Sequence, residues 1–247
     1  MTSKQPIPSV WTRQNREREQ PALSRGQIVA EAVRLLDAEG VEALSMRRLG
    51  ARLNAGATSL YRHVANRDEL IELVVDEVYG EIEVPEAAGG EGWREAVATC
   101  AHSVRAMILR HPWTASVLGQ VGLSYLGPHV MRLNDRMLAL FEAAGFPLAE
   151  ADQALSSVFA YVIGMGISEA AWLAMVARSG QDEQEWQENL RPTAERAAQP
   201  YERLHEQFVS QQAQHPRQAR DEKFHYGLER LLDGLSARLA RVESAGG

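Results

Sequence analysis

The chain has 247 residues, 45% of them hydrophobic and 24% charged, with a formal net charge of −7. That length suits two domains with a sizeable core, and the single cysteine, Cys100, excludes an internal disulfide framework and fits a reducing, cytoplasmic setting. The acidic balance argues against a protein that coats nucleic acid indiscriminately, yet residues 1–67 hold 11 Lys and Arg against 6 Asp and Glu, while the rest hold 15 against 27. Any affinity for DNA should therefore be local and salt-sensitive.

Residues 1–22 are rich in Pro, Gln and Arg, a composition that predicts an extended or disordered segment. Two readings stay open for it: Lys4, Arg13, Arg16 and Arg18 lying along a duplex, or Trp11 docking on the protein's own surface, with Glu17 and Glu19 diluting the charge in favour of the second. A first helix is announced by Ser24 and Gln27, an S-x-x-Q capping box, with Leu23 and Ile28 as a hydrophobic staple across it. Ile28, Ala32, Leu35 and Leu36 follow at helical spacing, and Gly40 closes the helix. Arg25, at its entry, is placed equally well for a phosphate or for water.

Next comes a short helix with Met46, Leu49 and Leu53 on one stripe and Arg47, Arg48 and Arg52 on the others, with Ser45 at the N-cap position. Asn54 to Gly56 form a turn, since Asn and Gly accept backbone angles that stop a helix. A second short helix points Leu60 and Val64 inward and leaves Thr58, Ser59, Tyr61, Arg62 and His63 outward. Asn66, with Glu69 three residues on, opens a further helix that runs to about Tyr79. Helix, three-residue turn, helix is the helix-turn-helix pattern. A helix as short as the second cannot build its own core, so its polar face suits the major groove of DNA.

The runs AEGVEALSMRRLGARL (38–53) and SLYRHVANRDEL (59–70) resemble the DNA-binding domain of the TetR family of transcriptional regulators. The resemblance implies that Arg47 reaches a base edge, that Ala57, Thr58 and Ser59 begin the recognition helix, that Tyr61, Arg62 and His63 face the DNA backbone, and that Arg67 meets a phosphate. The family often has Gly where Asn54 stands and a polar base-reader where Ala57 stands. Direct readout by the recognition helix should thus be sparse, leaning on Arg47, Thr58 and DNA shape.

After Tyr79 the pattern predicts a loop at Pro85–Gly92, a helix from Trp93 to Arg110 ended by His111-Pro112, a short helix from Thr114 to Gln120, and a helix from His129 to Ala144 stopped by Gly145. Leu148–Ala177 is the longest apolar stretch, and Phe224–Arg241 is a final amphipathic helix with Leu228, Leu231, Leu232, Leu235 and Leu239. Residues 180–216 are polar and read as partly disordered. No alternating hairpin pattern supports a strand, no N-terminal apolar run has signal-peptide length, and no charge-free stretch reaches transmembrane length, so no membrane partner is expected. The expected fold is all-α: an extension (1–22), a three-helix helix-turn-helix domain (23–69) and a larger helical ligand-binding and dimerisation domain (70–247).

Within 148–177, Ser157, Ala160, Gly164, Gly166 and Ala170 let another helix approach closely, and two mid-helix glycines cost roughly 1 kcal/mol each relative to Ala. Burial in one monomer, or a four-helix interface with a two-fold mate, would offset that cost. The segments 93–113 and 224–235 resemble the tetracycline-repressor-like C-terminal domain, which implies the homodimer. Two recognition helices spaced by one turn of DNA (~34–36 Å) would read a palindromic operator.

The family also implies a small-molecule pocket, for which His102, Trp113, Tyr125, His129, Phe159 and Met165 are the candidate lining, each set against an ordinary core or surface role. The family positions that hold magnesium–tetracycline fall at Cys100, Val104 and Leu118, none a hard oxygen ligand or a His, which favours an apolar or aromatic effector. No metal site or cofactor is implied, and the absence of H-E-x-x-H, G-x-S-x-G and Gly-rich phosphate loops speaks against an enzyme. The expectation is a ligand-responsive DNA-binding regulator, by family habit a repressor. The alternative is a ligand-binding helical dimer that acts through a protein partner without DNA.

Overall fold

A computed structural model describes residues 23–86, 92–118, 127–210 and 215–246; among these the side chains of Ala57 and of residues 242–246 are not described. The described residues form eleven α-helices and no strand, in agreement with the all-α expectation. The N-terminal unit is α1 (Arg25–Glu39), a 3-10 turn at Val41–Ala43, α2 (Met46–Arg52) and α3 (Ala57–Leu60), followed by α4 (Arg67–Tyr79). The capping box of α1 is complete: Ser24 Oγ accepts the Gln27 N–H at 3.2 Å, and Gln27 Oε1 accepts the Ser24 N–H at 2.9 Å. The box at α4 is displaced by one residue, because Asn66 Oδ1 accepts the Glu69 N–H at 2.8 Å while the Glu69 carboxylate takes the N–H of Ala65. Asn54 adopts a left-handed φ of 50°, which an Asn tolerates where most side chains do not, and so turns the chain between α2 and α3.

The helical domain is α5 (Trp93–Arg110), α6 (Thr114–Leu118), α7 (Pro128–Ala143), α8 (Leu148–Ser179), α9 (Glu183–Ala198), α10 (Glu202–Ser210) and α11 (Pro216–Gly246). The core runs without a break from Ile28 in α1 to Leu232 in α11. The 69/70 boundary expected between domains falls inside α4, whose buried Leu70, Val74, Val75 and Val78 belong to that common core. In the helical domain Trp93, Phe141 and Phe146 pack as an aromatic trio with centroids 5.7–5.9 Å apart.

The described residues of the polar stretch are more regular than its composition suggested, forming α9 and α10, with residues 211–214 outside the described set: Asp182 caps α9 by accepting the Glu185 N–H at 2.8 Å, and Glu183 is held by Trp172 Nε1 at 2.7 Å and by Arg220. Local polarity hid this, because those anchors sit on α8 and α11. The final helix accordingly begins at Pro216, well before Phe224. By length and composition α8 could cross a membrane, with an 18-residue window of mean hydropathy 1.5 and 28% of it buried within the chain, but it is not charge-free, since Glu150, Asp152, Glu169 and Arg178 interrupt it.

The helix packs instead through a divided surface. At Gly166 an added Cβ would come within 2.9 Å of Ile108 Cδ1, so that glycine admits α5. Gly164, two residues earlier, faces open space together with the exposed Ser157 and Ala160. On α11, Phe224, Leu228 and Leu232 turn into the core, and Gly227 lets Tyr161 of α8 approach until its hydroxyl donates to the Phe224 carbonyl at 2.8 Å. The Leu row of α11 is therefore consumed largely within one chain, and its open side carries Tyr226, Arg230, Asp233, Gly234 and Ala237.

Candidate functional site

The seven arginines between 23 and 67 divide by partner. Arg34 and Arg52 meet Glu31 at 2.5 Å, and Arg48 meets Glu39. The Arg52 hydrogen bond, against the opposing effect of burial and with help from Arg34, holds the Glu31 carboxyl below its ordinary range. Arg67 donates to two backbone carbonyls, Leu44 at 3.2 Å and Val41 at 3.1 Å, and so ties the start of α4 to the 3-10 turn ahead of α2. Arg25, Arg47 and Arg62 are exposed and have no hydrogen-bond or ion-pair partner among the described residues.

Arg25 opens α1, Arg47 lies in the first turn of α2, and Arg62 follows Tyr61 just after α3. Leu60 and Val64 are fully buried and fix α3 against the core. That leaves Thr58 exposed, Ser59 and His63 half-buried, and Tyr61 with 52% of its surface exposed, a high value for an aromatic side chain. Ala57 opens α3, with its side chain outside the described set. A groove of about 840 Å³ lies between the start of α1 and the turn, walled in part by Gln27, Arg34 and Ser59.

The residues proposed to line a ligand pocket go to several surroundings. Cys100 and Val104 are buried on α5, and desolvation pushes the Cys100 thiol up to about 12, which makes it an inert hydrophobe. His102, two residues on, turns the other way. Its ring lies 5.1 Å from Phe224 and 6.4 Å from His225, and its pKa is lowered by desolvation and then by the charges of Arg105 and His225. Leu118, Phe159 and Met165 are half-buried against the core, and Tyr125 lies outside the described residues. Among the described residues no group of three His, Cys, Asp or Glu side chains could hold a metal ion.

Trp113 and His129 belong to joints that local sequence did not reveal. Asp37 of α1 accepts from Trp113 Nε1 at 2.7 Å and pairs with His111 Nδ1 at 2.7 Å, while His111 Nε2 lies 3.2 Å from Glu81, just beyond α4. Asp76, in the middle of α4, accepts the backbone N–H groups of His129 and Val130 at 2.9 and 3.1 Å and faces His129 Nδ1 at 3.0 Å. The α5–α6 corner thus grips α1, and the N-terminus of α7 is capped by α4. Asp37, Asp76, Glu81 and His111 carry no local pattern that marks them, since each pairing spans 30 or more residues.

A small helix-turn-helix unit with a cationic, aromatic outer face, tied through α4 to a larger helical domain, defines a DNA-binding transcriptional regulator of the one-chain type. Residues 28–74 match the family described as bacterial regulatory proteins, tetR family, and residues 84–239 match the tetracyclin repressor-like C-terminal domain. The chain belongs to the TetR family. It is 38% identical over 165 residues to an HTH-type transcriptional regulator of Saccharopolyspora erythraea, covering 66% of this chain and 69% of that protein. With the HTH-type transcriptional repressor DrrR1 of Streptomyces coeruleorubidus it shares 34% identity over 91% of this chain and 82% of the relative. Among solved structures, ActR of Streptomyces coelicolor in complex with actinorhodin superposes with a TM-score of 0.73 at 31% identity, covering 88% of this chain and 97% of ActR. The family and these relatives are transcriptional regulators, not enzymes.

Proposed function

We propose that the chain is a repressor that binds a palindromic operator as a homodimer and is released by a small effector with an apolar or aromatic body. The observation that carries the DNA reading is the division of the arginines. Arg34, Arg48, Arg52 and Arg67 are engaged within the domain, while Arg25, Arg47 and Arg62 keep their guanidinium groups for an outside partner, beside an exposed Tyr61. Arg47 and Thr58 are the base readers in this reading; Ala57 and Ser59 start the recognition helix; Arg25, Tyr61, Arg62 and His63 serve the phosphates. Arg67 was expected at a phosphate, and its two carbonyl bonds favour a positioning role that sets α2 against α4.

The dimer is proposed through the open sides of α8 and α11, where Ser157, Ala160, Gly164 and Gly234 allow close approach. Residues 23–69 are the DNA-binding part and 70–247 the effector and dimerisation part. The effector reading is supported by ActR, solved with actinorhodin and with (S)-DNPA. It is supported also by the two joints, Asp37–His111–Trp113 and Asp76–His129, through which a change in the helical domain would reach α1 and α4. Cys100, Val104, Leu118, Phe159 and Met165 remain the proposed apolar lining, with Trp113 and His129 at its DNA-facing end; His102, turned onto α11, is the weakest member of the set.

The test is fluorescence anisotropy with duplexes from the protein's own promoter region. The wild type is expected to bind one palindrome as a dimer, and Arg47→Ala with Tyr61→Ala together to abolish binding while the circular dichroism melt stays unchanged. Undiminished binding by the double variant would sink the assignment of this face and favour a regulator that works through a protein partner.

A further inference from the structure

The outer edge of α7 carries His129, Arg132 and Arg136 at i, i+3 and i+7, one above the other. The inward side of the same helix, with Val130, Leu133, Met137, Leu140 and Phe141, is spent on the core. Facing the cationic edge is the segment from Tyr79 to Glu86. Between them lie two adjoining hollows that share Val84 and Arg136. The smaller, about 90 Å³, has His129, Arg132 and Tyr79 on its walls. The larger, about 310 Å³, is mostly apolar, with Pro85, Leu140 and Ala143. The groove is therefore cationic at one end and greasy at the other.

The cationic end is unusual for its surroundings. Residues 68–247 hold 15 Lys and Arg against 27 Asp and Glu, and yet Arg132 and Arg136 are exposed with no hydrogen-bond or ion-pair partner among the described residues. Of the carboxylates near them, Asp76 is already committed to the α7 backbone N–H groups and to His129 Nδ1, and Glu86, exposed on the wall of the larger hollow, makes no ion pair with Arg136. That contact orients the imidazole and leaves Nε2 on the far side, next to Gly80, where an added Cβ would stand 3.1 Å from it. The Tyr79 phenol, pushed up to about 12 by burial, keeps its proton and stays a donor. Two guanidinium groups with no hydrogen-bond or ion-pair partner among the described residues, at one end of a mostly apolar trough, are the complement of a carboxylate with a hydrocarbon body.

We propose that this groove binds a small organic acid, its carboxylate held by Arg132 and Arg136 and its apolar body lying along Val84, Leu140 and Ala143. The site lies on the solvent side of α7 and shares only His129 with the effector lining proposed above; Cys100, Val104 and Phe159 are not among its walls. Its link to DNA rests on the regulator reading above: Asp76 joins His129 to α4, and Arg67 joins α4 to the turn ahead of α2, so a ligand seated against His129 bears on the helix that carries the DNA-binding unit.

The experiment is isothermal titration of the full chain with 1-naphthoate and with its neutral counterpart 1-naphthamide, at one fixed salt concentration. Naphthoate is expected to bind about ten-fold or more tightly than the amide, and Arg132→Ala with Arg136→Ala to remove that preference, with an unchanged thermal melt as the folding control. Equal affinity for the amide, no saturable naphthoate binding, or undiminished binding by the double variant would overturn the site. Competition by inorganic phosphate as effective as that by acetate-capped aromatic acids would overturn the organic-acid assignment. A second arm separates this proposal from the regulator reading: operator affinity of the ligand-free wild type tests the regulator alone. Naphthoate binding that leaves operator affinity unmoved would overturn the coupling through Asp76 while the groove stands.

Discussion

Three arginines of the N-terminal unit, Arg25, Arg47 and Arg62, contrast with the paired arginines that fasten the helical domain. Behind α4, Arg105 is buried and makes a two-pronged contact with Glu169 at 2.7 and 2.8 Å and a third bond to Asp221 at 2.7 Å. Its guanidinium also lies 4.8 Å from the centre of the Phe224 ring. Arg220 bridges Glu169 and Glu183, Arg94 bridges Glu229 and Asp233, and Arg238 holds Glu150. These groups fasten α5, α8, α9 and α11 to one another. In the N-terminal unit, Arg25, Arg47 and Arg62 fasten nothing among the described residues. The same side chain works as a clamp where carboxylates surround it and, in the proposed function, is left for recognition where they are withheld.

The largest expected effect is on the clamp. Arg105→Ala leaves Glu169, whose side chain is 9% exposed, with Arg220 as its remaining cation, and should cost about 3–5 kcal/mol in urea unfolding. A loss below about 1 kcal/mol would break the contrast, because it would make Arg105 no more than a surface pair.

Acid should act on the same cluster. Burial alone would raise the Glu169 carboxyl, but the Arg105 and Arg220 hydrogen bonds outweigh it and hold the pKa below its ordinary value. A depressed acid pKa contributes stability that is complete above the unfolded-state value and is lost as pH falls through the folded-state value. Stability should therefore decline on acidification below the usual carboxylate range. Glu169→Gln, less stable at neutral pH, should decline less steeply over that interval in unfolding series at several pH values.

Next in size is the recognition side. Arg47→Ala should weaken operator binding by about 1–3 kcal/mol and relax preference at one base position, with no shift in the unfolding midpoint. A change in stability without a change in affinity would move Arg47 to the clamp class. The smallest effect belongs to its neighbour: Arg48, already paired with Glu39 at the surface, should change both stability and operator affinity by no more than about 0.5 kcal/mol when replaced by Ala. Those two adjacent arginines give the sharpest form of the comparison, since composition and exposure barely distinguish them.

Much of the fold was legible in the chain itself. The Ser24–Gln27 box, the Asn54 turn and the inward pair Leu60 and Val64 all act within four residues, so their chemistry is written in the local order of side chains. The opposite faces of Cys100 and His102 follow from helical spacing in the same way. The helix α9 was not legible, because its polar sequence gains anchors at Glu183 from Trp172 and Arg220 on other helices. Nor did the leucines of α11 announce that they would be used up largely inside one chain.

By itself, then, the sequence determined an all-α chain with a helix-turn-helix near its start, because caps, turns and apolar periods are short-range and each is complete within a turn or two of helix. The fate of each charge was decided only by tertiary structure. Arg105 meets carboxylates 64 and 116 residues away, and Arg67 bonds carbonyls 23 and 26 residues before it. Whether a cation becomes a clamp or stays available to DNA or to a bound acid depends on which distant groups folding brings within about 3 Å of it, and hydrogen bonding falls off too steeply for anything farther to count.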